Sequence, residues 1–173
     1  KAYLEIVAAT NMKQRSCKQM EYYYADRHNY AVIGTPNRLE YDQGFFVKNG
    51  DGAADIKPIA HLYKTQVYTL AESLGLPAEI VGQVPCTDTY SLPQTQEEFY
   101  FCLPYGPMDL ALWAFDHAVP AAEAGAVLDL PTDAVERVYA DIQAKRRSTR
   151  YGHLAPLLVE PVSSVRRDTE PLQ

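Results

Sequence analysis

Long apolar runs are missing from this 173-residue chain: no stretch of about 18 or more apolar residues occurs, and no bilayer-spanning helix is expected. Nor does the chain open on a basic segment followed by a hydrophobic one and a small-residue cleavage site, so cytoplasm is the expected compartment. Cysteine is scarce, with Cys17, Cys86 and Cys102 odd in number and far apart. That spacing supports neither a disulfide framework nor a Cys-x-x-Cys metal site, and a reducing environment is expected. Positive charge is also in short supply, since 16 Lys and Arg stand against 22 Asp and Glu for a formal net charge of −6. A basic surface able to neutralise a phosphate backbone is therefore not expected, and neither nucleic acid nor membrane is a favoured partner. No Gly-Gly pair, internal repeat or low-complexity segment is present.

The composition itself is that of a globular protein. Hydrophobic residues make up 47% and charged residues 22%, enough for one domain with a real core. The stretch from Tyr30 to Lys64 organises the rest. Tyr30, Ala31, Val32 and Ile33 form an apolar run that stops at Gly34-Thr35, as a buried strand of a parallel sheet does where it meets a loop. Ligands of α/β sheets bind at such carboxyl ends. Downstream lie Glu40, Lys48, Asp51, Asp55 and Lys64 among Gly44, Gly50 and Gly52, a mixture suited to a phosphate and a cation held together.

Around that stretch the spacing predicts helices. Tyr3 to Ala9 reads as a short strand or a helical turn, and Asn11 as the N-cap of a helix over Met12 to Arg27, with Met20, Tyr23, Tyr24 and Arg27 on one stripe. Tyr63, Val67, Leu70, Ala71 and Leu74 fall at helical spacing before Gly75 and Pro77. Pro85 to Pro93 is aperiodic and rich in hydroxyls, hence a surface loop, and a mobile one. Helices are then expected over Thr95 to about Cys102, Met108 to about His117, a short piece from Ala121, and Thr132 to about Arg147. In the last, Lys145, Arg146 and Arg147 are expected to complement the dipole of the final turn. The main domain spans residues 1–161, and the tail over residues 162–173 is expected to be disordered.

Several blocks together resemble bacterial ammonia-dependent NAD synthetases of the ATP pyrophosphatase superfamily. They are Gly34-Thr35 with Glu40, Gly44-Phe45-Phe46-Val47-Lys48 with Gly50-Asp51-Gly52, Asp55-Ile56-Lys57-Pro58, Leu62-Tyr63-Lys64-Thr65, and Gln94-Thr95 with Glu97-Glu98. The resemblance covers about Asn11 to Tyr151 and matches the family's C-terminal half. It implies an α/β fold with a Rossmann-like parallel sheet, adenine nucleotide alpha-hydrolase-like, here its C-terminal part with several helices. It also implies adenylation of the carboxylate of deamido-NAD by ATP and displacement of AMP by ammonia. Thr35, Lys64, Cys86 and Thr87 would contact ATP, Glu40 would hold magnesium, and Arg15, Lys48 and Asp55 would contact deamido-NAD. A homodimer is implied as well. The chemistry agrees with those roles, because two anions must be brought together and the departing pyrophosphate neutralised.

This sequence departs from the family's pattern in three places. The Ser-Gly-Gly-x-Asp-Ser pyrophosphate loop does not occur in the 173 residues. Cys86 stands where the family has Thr or Ser, and Tyr151-Gly152 stands in place of a His-Lys pair. Two other readings stay open: another amidating ATP pyrophosphatase, and a noncatalytic nucleotide-binding or dimerisation fragment. No residue is assigned to catalysis; His61 is read as a surface histidine, and Asp51 either serves its Gly-Asp-Gly turn or faces the ligand. The chain opens at Lys1 without methionine, so a longer natural polypeptide is expected. The 173-residue chain by itself is expected to form no NAD, since the loop that would grip pyrophosphate is not among its residues. Assay of the purified chain for ATP-dependent NAD formation checks this, and measurable product contradicts it.

Overall fold

In the computed structural model, residues 2–86, 95–160 and 162 are described. Among them the secondary structure is helical, apart from two isolated bridges. The first helix, α1 (Ala2–His28), runs unbroken for 27 residues. Of the two readings of Tyr3 to Ala9 the helical one holds, while Asn11 is not an N-cap but sits inside the helix. No Gly or Pro interrupts residues 2–28, and an interior Asn costs only a few tenths of a kcal/mol, about 0.7 at most, against Ala. The helix ends where Asn29 takes a left-handed φ of 55°. Tyr30 N–H reaches the Ala25 carbonyl at 2.9 Å and Asn29 N–H reaches that of Asp26 at 3.3 Å, which is a Schellman closure.

The expected strand over Tyr30 to Ile33 is reduced to one parallel bridge between Ile33 and Ile56. Gly34 N–H donates to the Ile56 carbonyl, and Asp55 N–H donates to that of Val32. Val32 is buried, but Tyr30 and Ile33 are exposed, so the run is not covered on both faces by the described residues. The chain then turns into α2 (Arg38–Gln43). Asn37 caps it, and Gly44 ends it in the left-handed conformation.

Helix α3 (Lys64–Ser73) lies where the spacing placed it, with Gly75 at a φ of 70° beyond its end. A short turn, α4 (Ala78–Val81), follows, then α5 (Gln96–Phe99), capped by Thr95 and Glu98 in a reciprocal box. The last three helices are α6 (Tyr105–Asp116), α7 (Ala121–Leu128) and α8 (Thr132–His153). Helix α8 outruns the expected Arg147, so Lys145 and Arg146 lie in its interior and not at its dipole end. Arg150 and His153 occupy the last turn instead.

The core sits between α2, α6 and α8. Leu39, Met108, Leu112 and Ile142 are fully buried there, with Phe101, Tyr105 and Val138 beside them. Charge pins the same three helices. Arg146 of α8 grips Asp42 of α2 with two bonds of 2.7 and 2.6 Å and reaches Asp116 of α6 at 2.6 Å. Asp116 also accepts from Arg38 at 2.8 Å. Helix α1 contributes little to this core: among its residues only Lys18 and Ala25 are buried, and Tyr23 and Tyr24 are exposed. The tail expected to be disordered lies outside the described residues, Val162 excepted.

Two measurements test this packing. A Cβ at Gly44 would overlap the Thr149 side chain, and its φ of 73° disfavours any other residue, so Gly44→Ala should lose upward of about 1 kcal/mol in chemical denaturation. For Asp116, burial alone raises the carboxyl pKa, but bonds from Arg146 and Arg38 outweigh it and hold it below the ordinary range. A depressed folded pKa adds stability that is present above the unfolded value of about 3.9 and lost as pH falls through the folded one. Tm should therefore fall on acidification below about pH 4, and Asp116→Asn should flatten that fall.

Candidate functional site

Beside the Ile33 bridge lies a cavity of about 400 Å³. Val7 and Asn11 of α1 form one wall, and Thr35, Pro36 and Glu40 form the end nearest the bridge. Phe45, Phe46 and Asp51 close another side, and Cys86, Gln96 and Tyr100 complete it. Thr35, Glu40 and Cys86 are thus brought together, three of the residues expected at the ATP and metal site. Thr87 lies outside the described residues.

Glu40 is held on two sides. Its Oε2 accepts from Asn37 N–H at 2.8 Å, while Asn37 Oδ1 accepts from Glu40 N–H at 3.2 Å. This is a capping box built on Asn37 and the third helical residue. Glu40 is half-buried because its helix starts at Arg38 and draws it inward. Burial pushes its pKa up, and the charge of Asp51 adds to that, against lowering by Asn37 N–H and Lys64. Asp51 is pushed up by burial too. Its Oδ1 accepts from Val47 N–H at 2.7 Å, so it closes the turn and faces the cavity at once. Asp51 is the residue whose site role sequence reading left undecided.

The cations stand elsewhere. Lys48 Nζ donates to the carbonyls of Tyr151 and Leu154 at 2.7 and 2.9 Å, closing the end of α8. Arg15 Nε donates to the Lys48 carbonyl at 3.2 Å, so these two expected substrate contacts are neighbours although 33 residues separate them. Asp55 accepts from Val32 N–H at 2.7 Å. Lys64 opens α3 with its ammonium 5.4 Å from the rings of Tyr68 and Tyr105. The anion expected at that helix start is already supplied within the chain: Asp109, buried on α6, accepts from Thr65 N–H at 2.8 Å and Lys64 N–H at 3.3 Å. No local signal in the sequence links residues so far apart. His61 is exposed, in keeping with a surface histidine. Gly152, where the family pattern has a lysine, lies against Phe46, whose ring would meet an added Cβ at 3.0 Å.

Half-buried Glu40 and exposed Asp51, facing one cavity and each with one oxygen engaged by a backbone N–H, leave hard oxygen donors for a divalent cation. Among the described residues no group of three or more His, Cys, Asp or Glu has the placement of a metal cage. The donor set thus suits magnesium, which takes one or two carboxylates and completes its shell with phosphates and water. Among the described residues no helix is long and apolar enough to cross a membrane.

The family model described as NAD synthase matches residues 1–150. The NH(3)-dependent NAD(+) synthetase of Rhizobium rhizogenes is 68% identical over 160 residues, which are 92% of this chain and 48% of that protein. Its counterpart from Rhizobium meliloti is 66% identical over 94% of this chain and 49% of its own length. The chain spans about half the length of these curated relatives. Among solved structures, the NMN synthetase of Francisella tularensis superposes with a TM-score of 0.68 at 27% identity, over 88% of this chain and 56% of that one. The NH3-dependent NAD synthetase of Campylobacter jejuni gives 0.65 at 22% identity, over 89% and 56%, a likeness of fold. With a family model matched over 150 of its 173 residues, this chain belongs to the NAD synthase family.

Proposed function

We propose that this chain is part of an ammonia-dependent NAD synthetase, a carbon–nitrogen ligase that uses ATP to amidate deamido-NAD. The observation that supports this most is Glu40, fixed by its capping box beside Asp51 and Thr35 in one cavity. In this reading the bridged segment at Val32 and Ile33 belongs to a parallel α/β sheet whose carboxyl end opens on that cavity. Thr35, Cys86 and Thr87 lie against ATP, with Lys64 contributing positive charge nearby. Glu40, with Asp51 beside it, would hold magnesium, which would supply positive charge against the phosphates.

The remaining residues orient the acid. Arg15 and Lys48, adjacent in the structure, present two cations to the phosphates of deamido-NAD, and Asp55 contacts the same substrate. The nicotinate carboxylate attacks the α-phosphorus of ATP and pyrophosphate leaves. Ammonia then adds to the acyl carbon, AMP departs with the C–O electron pair, and the nitrogen loses a proton. No general base is required of His61. The protein works as a cytoplasmic homodimer, with the exposed apolar residues of α1 available for contact.

Glu40→Gln tests the assignment in the intact protein. Loss of one preorganised charged group lowers rates by about 10²-fold, and that loss is expected in ATP-dependent NAD formation. Gln also satisfies the third position of a capping box, and its neutral amide removes the cost of a buried charge. Tm without ligand should therefore hold or rise slightly. Full activity at limiting magnesium, or unfolding of the ligand-free protein, contradicts the role.

A further inference from the structure

Helix α2 is six residues long, and Leu39 is its one fully buried apolar side chain. A single apolar anchor sets the depth of a helix but leaves its rotation about its own axis free. At 3.6 residues per turn, Arg38 and Asp42 share one face, Leu39 and Gln43 the adjoining one, and Glu40 lies roughly opposite the first pair, about 160–200° away. Leu39 and Gln43 face the core, as their burial requires. Arg38 and Asp42 are each held by charge: Asp42 by the two-pronged grip of Arg146, Arg38 by Asp116, and Asp116 in turn by Arg146. Any rotation that swings Glu40 out of the cavity must break those bonds on the far side of the helix.

We propose that Arg146, acting through Asp42 and Asp116, is a positioning residue that locks the rotation of α2 and so presents the Glu40 carboxylate to a divalent cation in the cavity. Arg146 does not line the cavity itself. Its planar fork is suited to the task, because two parallel bonds to Asp42 fix an orientation that a point charge does not. The inference rests on Glu40 as the metal ligand, and a double-mutant cycle separates the two ideas.

In the intact protein, Arg146→Met is made alone and together with Glu40→Gln. Two quantities are read: the magnesium concentration giving half-maximal NAD formation, and binding of Mn²⁺ by electron paramagnetic resonance in the presence of ATP. Loss of an outer contact to a metal ligand costs about 10–100-fold in metal affinity, and Arg146→Met should weaken both readings by about 10-fold. In the Glu40→Gln background the same change should move them no further. Arg146→Lys, which keeps the charge without the fork, should not restore Mn²⁺ binding. An equal effect of Arg146→Met in both backgrounds overturns the positioning role while leaving Glu40 as ligand. Unchanged Mn²⁺ binding in Glu40→Gln alone overturns both. Should Arg146→Met fail to fold, Asp42→Asn runs through the same cycle with the same criteria.

Discussion

The contact of the Arg146 guanidinium with Asp42 and Asp116 joins helices whose apolar surfaces, taken alone, would leave their relative orientation loose. Burial of Leu39, Met108, Leu112 and Ile142 supplies the larger stabilisation, about 1.5–3 kcal/mol for each side chain of this type. That force has no direction. The ion pairs are partly exposed, with side-chain accessibilities of 17–32% for Arg146, Asp42 and Asp116, and pairs in such positions add about 0–1 kcal/mol. Their importance is geometric. Two fixed bonds to one carboxylate and a third to another define how α2, α6 and α8 meet.

Much of this was legible in the sequence, and the parts that were not share a cause. The helix from Lys64 and the helices over Tyr105–Asp116 and Thr132–His153 announce themselves through spacing, because one face of each packs against its neighbours. Helix α1 misled at its start, where Tyr3 to Ala9 is too short for periodicity to separate strand from helix and Asn11 reads as a cap. Of the site, Thr35, Glu40 and Cys86 line one cavity. Long-range polar contacts left no trace. Asp109 beneath α3 and Tyr151 under Lys48 are partners across 44 and 103 residues, and neither has a period or a motif.

Charge placement in the site follows from how backbone groups are satisfied. Glu40 and Asp51 both accept from main-chain N–H groups, so each carboxylate is anchored by the fold before any cation enters. Lys48 is anchored likewise, by the exposed carbonyls at the end of α8. Lysine is otherwise a flexible residue, and these bonds hold it beside Arg15 with much of its rotamer freedom already lost. These charges are therefore parts of turns and helix ends.

The bridge between Ile33 and Ile56 has a further meaning. Segments that pair in parallel must be joined by a chain that leaves one end and returns to the other, and such crossovers are right-handed in about 98% of proteins. The chain from Gly34 to Asp55 is that crossover, and α2 is its helix. Where such a connection joins two strands of one sheet, the face its helix covers is a matter of chirality, inherited from the L-configuration of every residue along the path. Glu40 is carried on that connection, between the two bridged residues.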